Sequence, residues 1–521
     1  MRFFNTAGPI KHEKNYFIPP LERIDSPGVM QLIEQEHYFV LHAPRQTGKT
    51  STLITLRDEL NSTGRYRAAY INVEPAQVAY EDIRSGMQSV LGALSAEAED
   101  SLDDPFISTR WQEILKSVGP LTALIETLRC WSASESRPLV LMIDEIDALG
   151  GDMLISVLRQ LRAGFPQRPG NFPQSVILCG VRDVRDYRIR SSRDNEIITG
   201  GSAFNIKAES LRLGDFDQSQ TRSLLLQHTG ETGQCWSNDA LDEVWESTRG
   251  QPWLVNALAH EACRRVGDRN RPIGHDDIIE SREVLIRRRD THLDQLADKL
   301  RERRVRRVIG PIVTGEAEAE AFRSDDVQYV RDLGLIRRGS PIRIANPIYR
   351  EVIPRELITS TDEIIPHQSA WFVDDGMLVM DRLLESFQEF FREHSEHWVQ
   401  RFDYRKAGPQ LLLQAFLQRI VNSGGRIERE YGVGRGRTDL LVVWQAHKAR
   451  QKVVIECKLR RNGLDRVIAD GLVQIGEYMD RCGTDEGHLV IFDRSDDRSW
   501  DEKVFRHDEM DGNRSVTVWG M

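Results

Sequence analysis

The octapeptide Ala43-Pro44-Arg45-Gln46-Thr47-Gly48-Lys49-Thr50 constrains this chain more than any other stretch. It follows an apolar run, Tyr38-Phe39-Val40-Leu41, that reads as a buried parallel strand, and it opens a helical segment from Ser51 to Leu60. Strand, glycine-bearing loop, Lys-Thr and helix, in that order, make a phosphate-binding loop. Backbone N–H groups at the helix start point at an anion, and the helix dipole favours it. In such a loop Lys49 reaches the β- and γ-phosphates of ATP and the Thr50 hydroxyl holds Mg²⁺. The usual pattern begins with Gly, and here that place is Ala43. Alanine takes φ > 0 only at a cost, so a slightly altered loop entry is expected.

A second apolar strand strengthens the reading. Leu139-Val140-Leu141-Met142-Ile143 ends at Asp144-Glu145. Ligands sit at the carboxyl ends of strands in open α/β sheets. Asp144 is therefore placed to hold the Mg²⁺ water shell, and Glu145 to polarise an attacking water as general base. Two further strands are expected, at 68–73 and 175–181, separated by helices near 79–94, 121–131 and 153–163. Strands alternating with helices predict a parallel, doubly wound sheet, and continuous apolar strands fit a sheet covered on both faces.

With these segments in view, the chain resembles the AAA-like and STAND-type P-loop ATPases over roughly residues 1–360. The resemblance rests on APRQTGKT, LVLMIDEID at 139–147, VILCGVRD at 176–183 and STRGQPWLV at 247–255. It implies that Arg182, ending the fourth strand, senses the γ-phosphate, and that Gly250 and Pro252, in a turn of a helical lid, touch the nucleotide. On the residues alone, Arg182 also reads as a surface charge and Gly250-Gln251-Pro252 as a helix break.

From about Leu211 the pattern becomes helical. A compact unit from about 293 to 357 shows a helix at 324–333, then Leu335-Ile336-Arg337, a Gly-Ser-Pro turn and Ile342-Arg343-Ile344, which is winged-helix grammar. Its second helix carries Asp325, Asp326 and Asp332. A DNA-reading face is basic because affinity comes from neutralised phosphates, so a relay role is favoured over DNA readout.

The second chemical constellation lies near the end of the chain. Asp439 begins one strand, and Glu456-Cys457-Lys458 sits on the next, where residues two apart share a face. Two carboxylates beside an ammonium suit phosphodiester hydrolysis. Asp439, Glu456 and the Cys457 carbonyl would hold Mg²⁺, with Mn²⁺ an alternative, and Lys458 would orient the nucleophile. An ordinary hairpin with an exposed Glu-x-Lys is the plainer reading. The segment resembles the PD-(D/E)XK nuclease superfamily over roughly residues 400–495. Gln474 and Tyr478 match a Gln-x-x-x-Tyr helix motif of that superfamily, which the resemblance assigns to the site and to DNA contact. Glu430 matches a commonly acidic place, and Arg437 lies in the Gly-Arg-x-Asp turn. A first-helix Glu common in the superfamily has only Gln410 and Gln414 as counterparts here. Between Arg401 and Arg466, 15 Lys/Arg stand against 6 Asp/Glu, in a chain whose net charge is −10. Nucleic-acid contact is thus confined to a local patch. Phe402, Tyr404 and Tyr431 are candidates to stack on bases or to pack in the core.

The 521 residues imply roughly three to four domains. We divide them into a P-loop ATPase domain (1–210), a helical lid (211–292), a winged-helix-like domain (293–360), a helical connector (361–400) and a nuclease-like α/β domain (401–521). Six scattered cysteines without a Cys-x-x-Cys pair argue against a zinc site and a disulfide framework, hence for the cytoplasm. No apolar run is long enough to span a membrane. The expectation is an ATP-controlled, metal-dependent nuclease acting on nucleic acid, DNA before RNA, as a nucleotide-dependent homo-oligomer, with a prokaryotic defence or mobile-element role by family association. Its rival is a nucleotide-switched binding or scaffold protein whose nuclease-like domain only grips nucleic acid. The absence of a helicase motif set favours a switch over a motor, and coupling is to be sought in residues 206–400.

Overall fold

The computed structural model describes residues 2–79, 82–183, 188–190, 197–199, 204–288, 291–300, 302–313, 323–339, 341–359, 372–401, 413–414, 416–417, 425–433, 436–445, 450–460, 463–493, 495, 498–512 and 514–521. They fall into two compact units, Met1–Leu296 with Arg323–Tyr349, and Ala297–Phe322 with Arg350–Met521.

The first unit is built on a five-stranded sheet. Its strands are β1 (Tyr38–His42), β2 (Arg67–Asn72), β3 (Leu139–Asp144), β4 (Ser175–Gly180) and β5 (Lys207–Arg212), in the order β2-β3-β4-β1-β5. Every pair is parallel. Strands β1, β3 and β4 are buried along their whole length. That follows from their unbroken apolar sequences and from helices on both sheet faces. Each fully buried Leu, Ile or Phe there contributes about 1.5–3 kcal/mol. One face packs Leu53, Leu56 and Leu60 of helix α1 (Lys49–Ser62) against Phe39, Leu41, Val140 and Ile177. The other packs Val90, Leu94, Leu128, Trp131 and Leu158 against Val40, Leu141 and Leu178.

Strand β5, Lys-Ala-Glu-Ser-Leu-Arg, is absent from the sequence expectation, which passes from four strands directly to helices. It is an edge strand, half-buried at most, and has no apolar run to announce it. The helix at Trp111–Val118 also lies in a stretch that reads as weakly patterned.

Helices at Gln218–Thr232, Asn238–Thr248, α2 (Pro252–Val266) and His275–Arg288 follow β5. Helix α3 (Ser324–Asp332) leads to the expected ribbon, which is reduced to one antiparallel bridge, Ile336 with Ile344.

The second unit contains a six-stranded mixed sheet. Its strands are β6 (Gly425–Val433), β7 (Gly436–Gln445), β8 (Arg450–Leu459), β9 (Gly487–Phe492), β10 (Phe505–Asp511) and β11 (Arg514–Gly520), in the order β6-β7-β8-β9-β11-β10. The β8-β9 and β9-β11 pairs are parallel and the rest antiparallel. Helix α4 (Met380–Arg401) buries Leu383, Leu384, Phe387 and Phe391 against one face, and α5 (Leu464–Cys482) covers the other with Ile475 and Met479. The expectation that β9 closes the domain is corrected: β10 and β11 follow it. The Phe-Arg-His-Asp-Glu-Met-Asp sequence of β10 lacks an apolar run because it is the sheet edge. Among the described residues all six cysteines are free thiols, and no helix is long and apolar enough to cross a membrane.

Candidate functional site

The phosphate loop runs from β1 into α1, where β1 lies between β4 and β5. This is the strand-order switch at which α/β sheets bind ligands. Gly48, at φ 94°, is the N-cap of α1, and Gln46 takes φ 58°. Ala43 is not among the positive-φ residues. Its methyl group is buried in the core with Leu53 and Cys179, while its N–H donates to the Gly180 carbonyl at 3.2 Å. The expected alteration of the loop entry is therefore not found: the first position needs a small side chain, and alanine supplies it. The Lys49 ammonium is buried and donates to the carbonyls of Ala43 (3.1 Å) and Pro44 (3.2 Å). Thr47 Oγ1 donates to the Pro44 carbonyl at 2.8 Å, closing the loop on itself.

Asp144 is fully buried at the end of β3. Its Oδ1 accepts the Glu145 N–H at 2.9 Å. Its Oδ2 accepts the Thr50 hydroxyl at 2.7 Å and the Tyr70 hydroxyl at 3.0 Å. The Thr–Asp pair predicted from sequence is thus assembled across 94 residues. A hydroxyl and a buried carboxylate in contact beside a buried ammonium fit a hydrated Mg²⁺, whose ligands are oxygens. Glu145 follows at φ 55°, a left-handed conformation that side chains rarely adopt and that marks stored strain at a site. Burial raises the pKa of its carboxyl, opposed by Lys49 and reinforced by Asp147.

Arg182 places its guanidinium 4.8 Å from the centre of the Tyr329 ring, with Nε 4.0 Å from Asp332 Oδ2. Gly250 has φ 78°, and a Cβ there would stand 1.9 Å from the Phe216 carbonyl oxygen, so only glycine fits. Its own carbonyl accepts the Phe216 N–H at 2.9 Å. Pro252 opens α2 at a position where its missing N–H costs nothing.

A cavity of about 120 Å³ adjoins the loop, lined by Gln46, Thr47 and Gly48, by Pro252 and Trp253 at the start of α2, and by residues 5–8, 10 and 16–18. This N-terminal wall is missing from the sequence expectation. Its residues 5–10 are strapped down by hydrogen bonds that include Trp253 Nε1 to the Thr6 carbonyl (2.9 Å), Asn5 N–H to Asn256 Oδ1 (3.2 Å) and Ile10 N–H to Ser51 Oγ (3.0 Å). Arg23, also unforeseen, donates from Nη1 to the Thr47 carbonyl at 2.6 Å and from Nη2 to the Gly214 carbonyl, lying over the Phe216 ring. Burial lowers its pKa to about 10, with Asp215 opposing, so it stays charged at neutral pH.

In the second unit, Glu456 and Lys458 lie on one face of β8, toward α5. Lys458 Nζ donates to Glu456 Oε1 at 2.6 Å and to Gln474 Oε1. Cys457 packs on the opposite face, against the core that includes α4. Leu440 of β7 pairs with Ile455 of β8. Asp439 precedes the first and Glu456 follows the second, so the backbone sets them at the same end of neighbouring strands. The side chains of Glu430, Tyr431, Arg437 and Asp439 lie outside the described residues, as do Phe402, Tyr404 and Gln410. Gln414 is fully buried, and Tyr478 is buried in the core beneath α5. Among the described residues no group of three or more His, Cys, Asp or Glu is placed to hold a metal ion.

A parallel sheet that feeds a phosphate loop at its switch point, with Lys49 in the loop and the Thr50–Asp144 pair beside it, is the P-loop NTPase fold. The second unit carries a mixed α/β sheet of its own. No family model matches the sequence, and no curated protein does. Among solved structures, a Walker-type ATPase of Pyrococcus abyssi is similar over 67% of this chain and 99% of its own, at 15% identity and TM-score 0.47. The RuvB Holliday junction branch migration motor of Thermotoga maritima is similar over 64% and 95%, at 13% identity and TM-score 0.33. Cdc6p of Pyrobaculum aerophilum is similar over 65% and 93%, at 17% identity and TM-score 0.31. These are likenesses of outline alone.

Proposed function

We propose that the first unit binds and hydrolyses ATP and that its nucleotide state controls a metal-dependent nuclease in the second. The observation that carries the ATPase reading is the Thr50–Asp144 hydrogen bond beside a buried Lys49. Mg²⁺, held by Thr50 and Asp144, would supply charge neutralisation on the phosphates. The loop N–H groups and Lys49 bind the triphosphate, and Arg182 lies at the strand end where its guanidinium can contact the γ-phosphate. Glu145, half-buried and left-handed, takes a proton from the attacking water. The base and ribose lodge in the cavity between residues 5–18 and the lid.

The nuclease reading rests on the Glu456–Lys458–Gln474 contact at the strand end shared with Asp439. Glu456 and Asp439 would hold the metal with the Cys457 carbonyl, and Lys458 would orient the nucleophile. The basic stretch 401–466 supports a nucleic-acid substrate, DNA before RNA, and a nucleotide-dependent homo-oligomer is the simplest route to control. The same Lys458–Glu456 ion pair favours the second reading, a nucleic-acid grip without turnover, because a satisfied pair can serve structure alone. Purified protein with Mg²⁺ or Mn²⁺, offered single- and double-stranded DNA and RNA with and without ATP, decides between them. Cleavage that is lost in Lys458→Ala and altered in Lys49→Ala supports the first reading. Binding without cleavage under every condition supports the second.

A further inference from the structure

Among the described residues Asp144 accepts from three N–H or O–H donors, and only two belong to the phosphate-loop motifs. The Glu145 N–H is its covalent neighbour, and Thr50 is the motif threonine. The third is Tyr70, from the adjacent strand β2, whose hydroxyl donates to Oδ2 at 3.0 Å. In the β2-β3 register Tyr70 pairs with Met142 and Asn72 with Asp144, so the phenol reaches forward along its strand to the carboxylate. The ring packs against the core cluster that holds Met142 and Cys179, which fixes the direction of the hydroxyl.

We propose that Tyr70 is a positioning residue for the nucleotide's divalent cation, acting through Asp144. The inference rests on the reading of this loop as an ATP site. A carboxylate with two oxygens offers about four acceptor positions. Glu145 occupies one on Oδ1, and Thr50 and Tyr70 occupy Oδ2. Thr50 has two duties, since the same oxygen is the cation's candidate ligand. Tyr70 also lies against the Thr50 hydroxyl but is not itself a candidate ligand, so its donation to Oδ2 does not compete with the cation. A fully buried carboxylate that loses a donor is free to turn, and removal of such outer partners weakens metal binding about 10–100-fold. Phenylalanine at this position keeps the packed ring and removes the hydroxyl alone.

The test is binding of a fluorescent ATP analogue to the full chain, measured in EDTA and then across a Mg²⁺ titration. For Tyr70→Phe the half-saturating Mg²⁺ concentration is expected to rise about tenfold, while affinity in EDTA stays at the wild-type level. The thermal midpoint should stay close to wild type. An unchanged Mg²⁺ midpoint overturns the proposal, and so does an equal loss with and without Mg²⁺, which marks a structural role. Tyr70→Leu, which removes both ring and hydroxyl, should reproduce the Mg²⁺ shift and add a loss of stability. Lys49→Ala is the control that loses nucleotide in both conditions. Wild-type protein that binds no nucleotide overturns the ATP reading itself, and this inference with it.

Discussion

The Arg182 guanidinium lies over the Tyr329 ring, 4.8 Å from its centre. The first lies two residues past the end of β4, and the second belongs to α3, nearly 150 residues later. Asp332, on the same helix, lies 4.0 Å from Arg182. Just beyond it, a Cβ on Gly334 would come within 2.7 Å of the Pro44 ring, and the Arg331 carbonyl accepts from Arg212 at 3.3 Å. Four contacts thus tie α3 and the turn after it to the strand-end edge of the ATPase sheet.

On the proposed ATPase reading Arg182 has two roles to lose. Arg182→Ala should reduce ATP hydrolysis about a hundredfold, the scale for removing one donor to developing charge. It should also speed amide hydrogen exchange within 324–332. Arg182→Lys should not restore exchange protection, because an ammonium does not stack as a guanidinium does. Slow exchange in the alanine variant would show that α3 is held by other contacts.

Glu145→Gln should bind ATP and hydrolyse it 10²–10⁴-fold more slowly. The raised pKa also gives a stability prediction. The folded protein holds this proton more tightly than the unfolded chain does. Between the ordinary carboxyl value and the raised one, stability therefore falls as pH rises, and the penalty is complete above that window. Glutamine carries no such penalty. Thermal melts should place Glu145→Gln above wild type at about pH 7, with the gap closing toward about pH 4.

Gly250→Ala should destabilise the first unit by at least about 2 kcal/mol in urea unfolding, because it combines a left-handed φ with a clash against the Phe216 carbonyl. An exposed left-handed glycine, Gly233, has open space around its Cβ position and serves as the control for φ alone.

Asp493 provides an acid-stability test in the second unit. Burial pushes its carboxyl up, but Ser495, Arg498 and Arg460 more than offset this and hold it at about 2. A depressed folded pKa stabilises above the unfolded value, and the gain is lost as pH falls toward about 2. Asp493→Asn should cost about 2 kcal/mol at neutral pH and converge with wild type in acid. A constant difference across the pH range would mean that packing, not charge, is what the substitution removes.

The parts of this architecture legible in the sequence were those with a local signature. The APRQTGKT loop, the apolar strand ending in Asp144-Glu145 and the Glu456-x-Lys458 spacing each lie within a few residues. Strands β5 and β10 were not legible, because edge strands with polar faces carry no apolar run. Tyr70 and Arg23 were invisible for another reason. Each is an ordinary residue in its own segment and acquires a role only when folding brings a distant carboxylate or carbonyl to it. Ala43 looked like a departure from pattern because the motif states glycine, whereas the backbone there asks only for small size.

The hydrogen bonds that strap residues 5–10 to Ser51, Trp253 and Asn256 set a limit on how this protein can be cut down. Trimming to β1, at Tyr38, keeps every motif a sequence search would recognise and discards one wall of the cavity. Exposed Lys11 and Lys14 directly follow that strap, so trypsin would report on it: cleavage there that slows when ATP is added would make the wall's engagement readable on a gel.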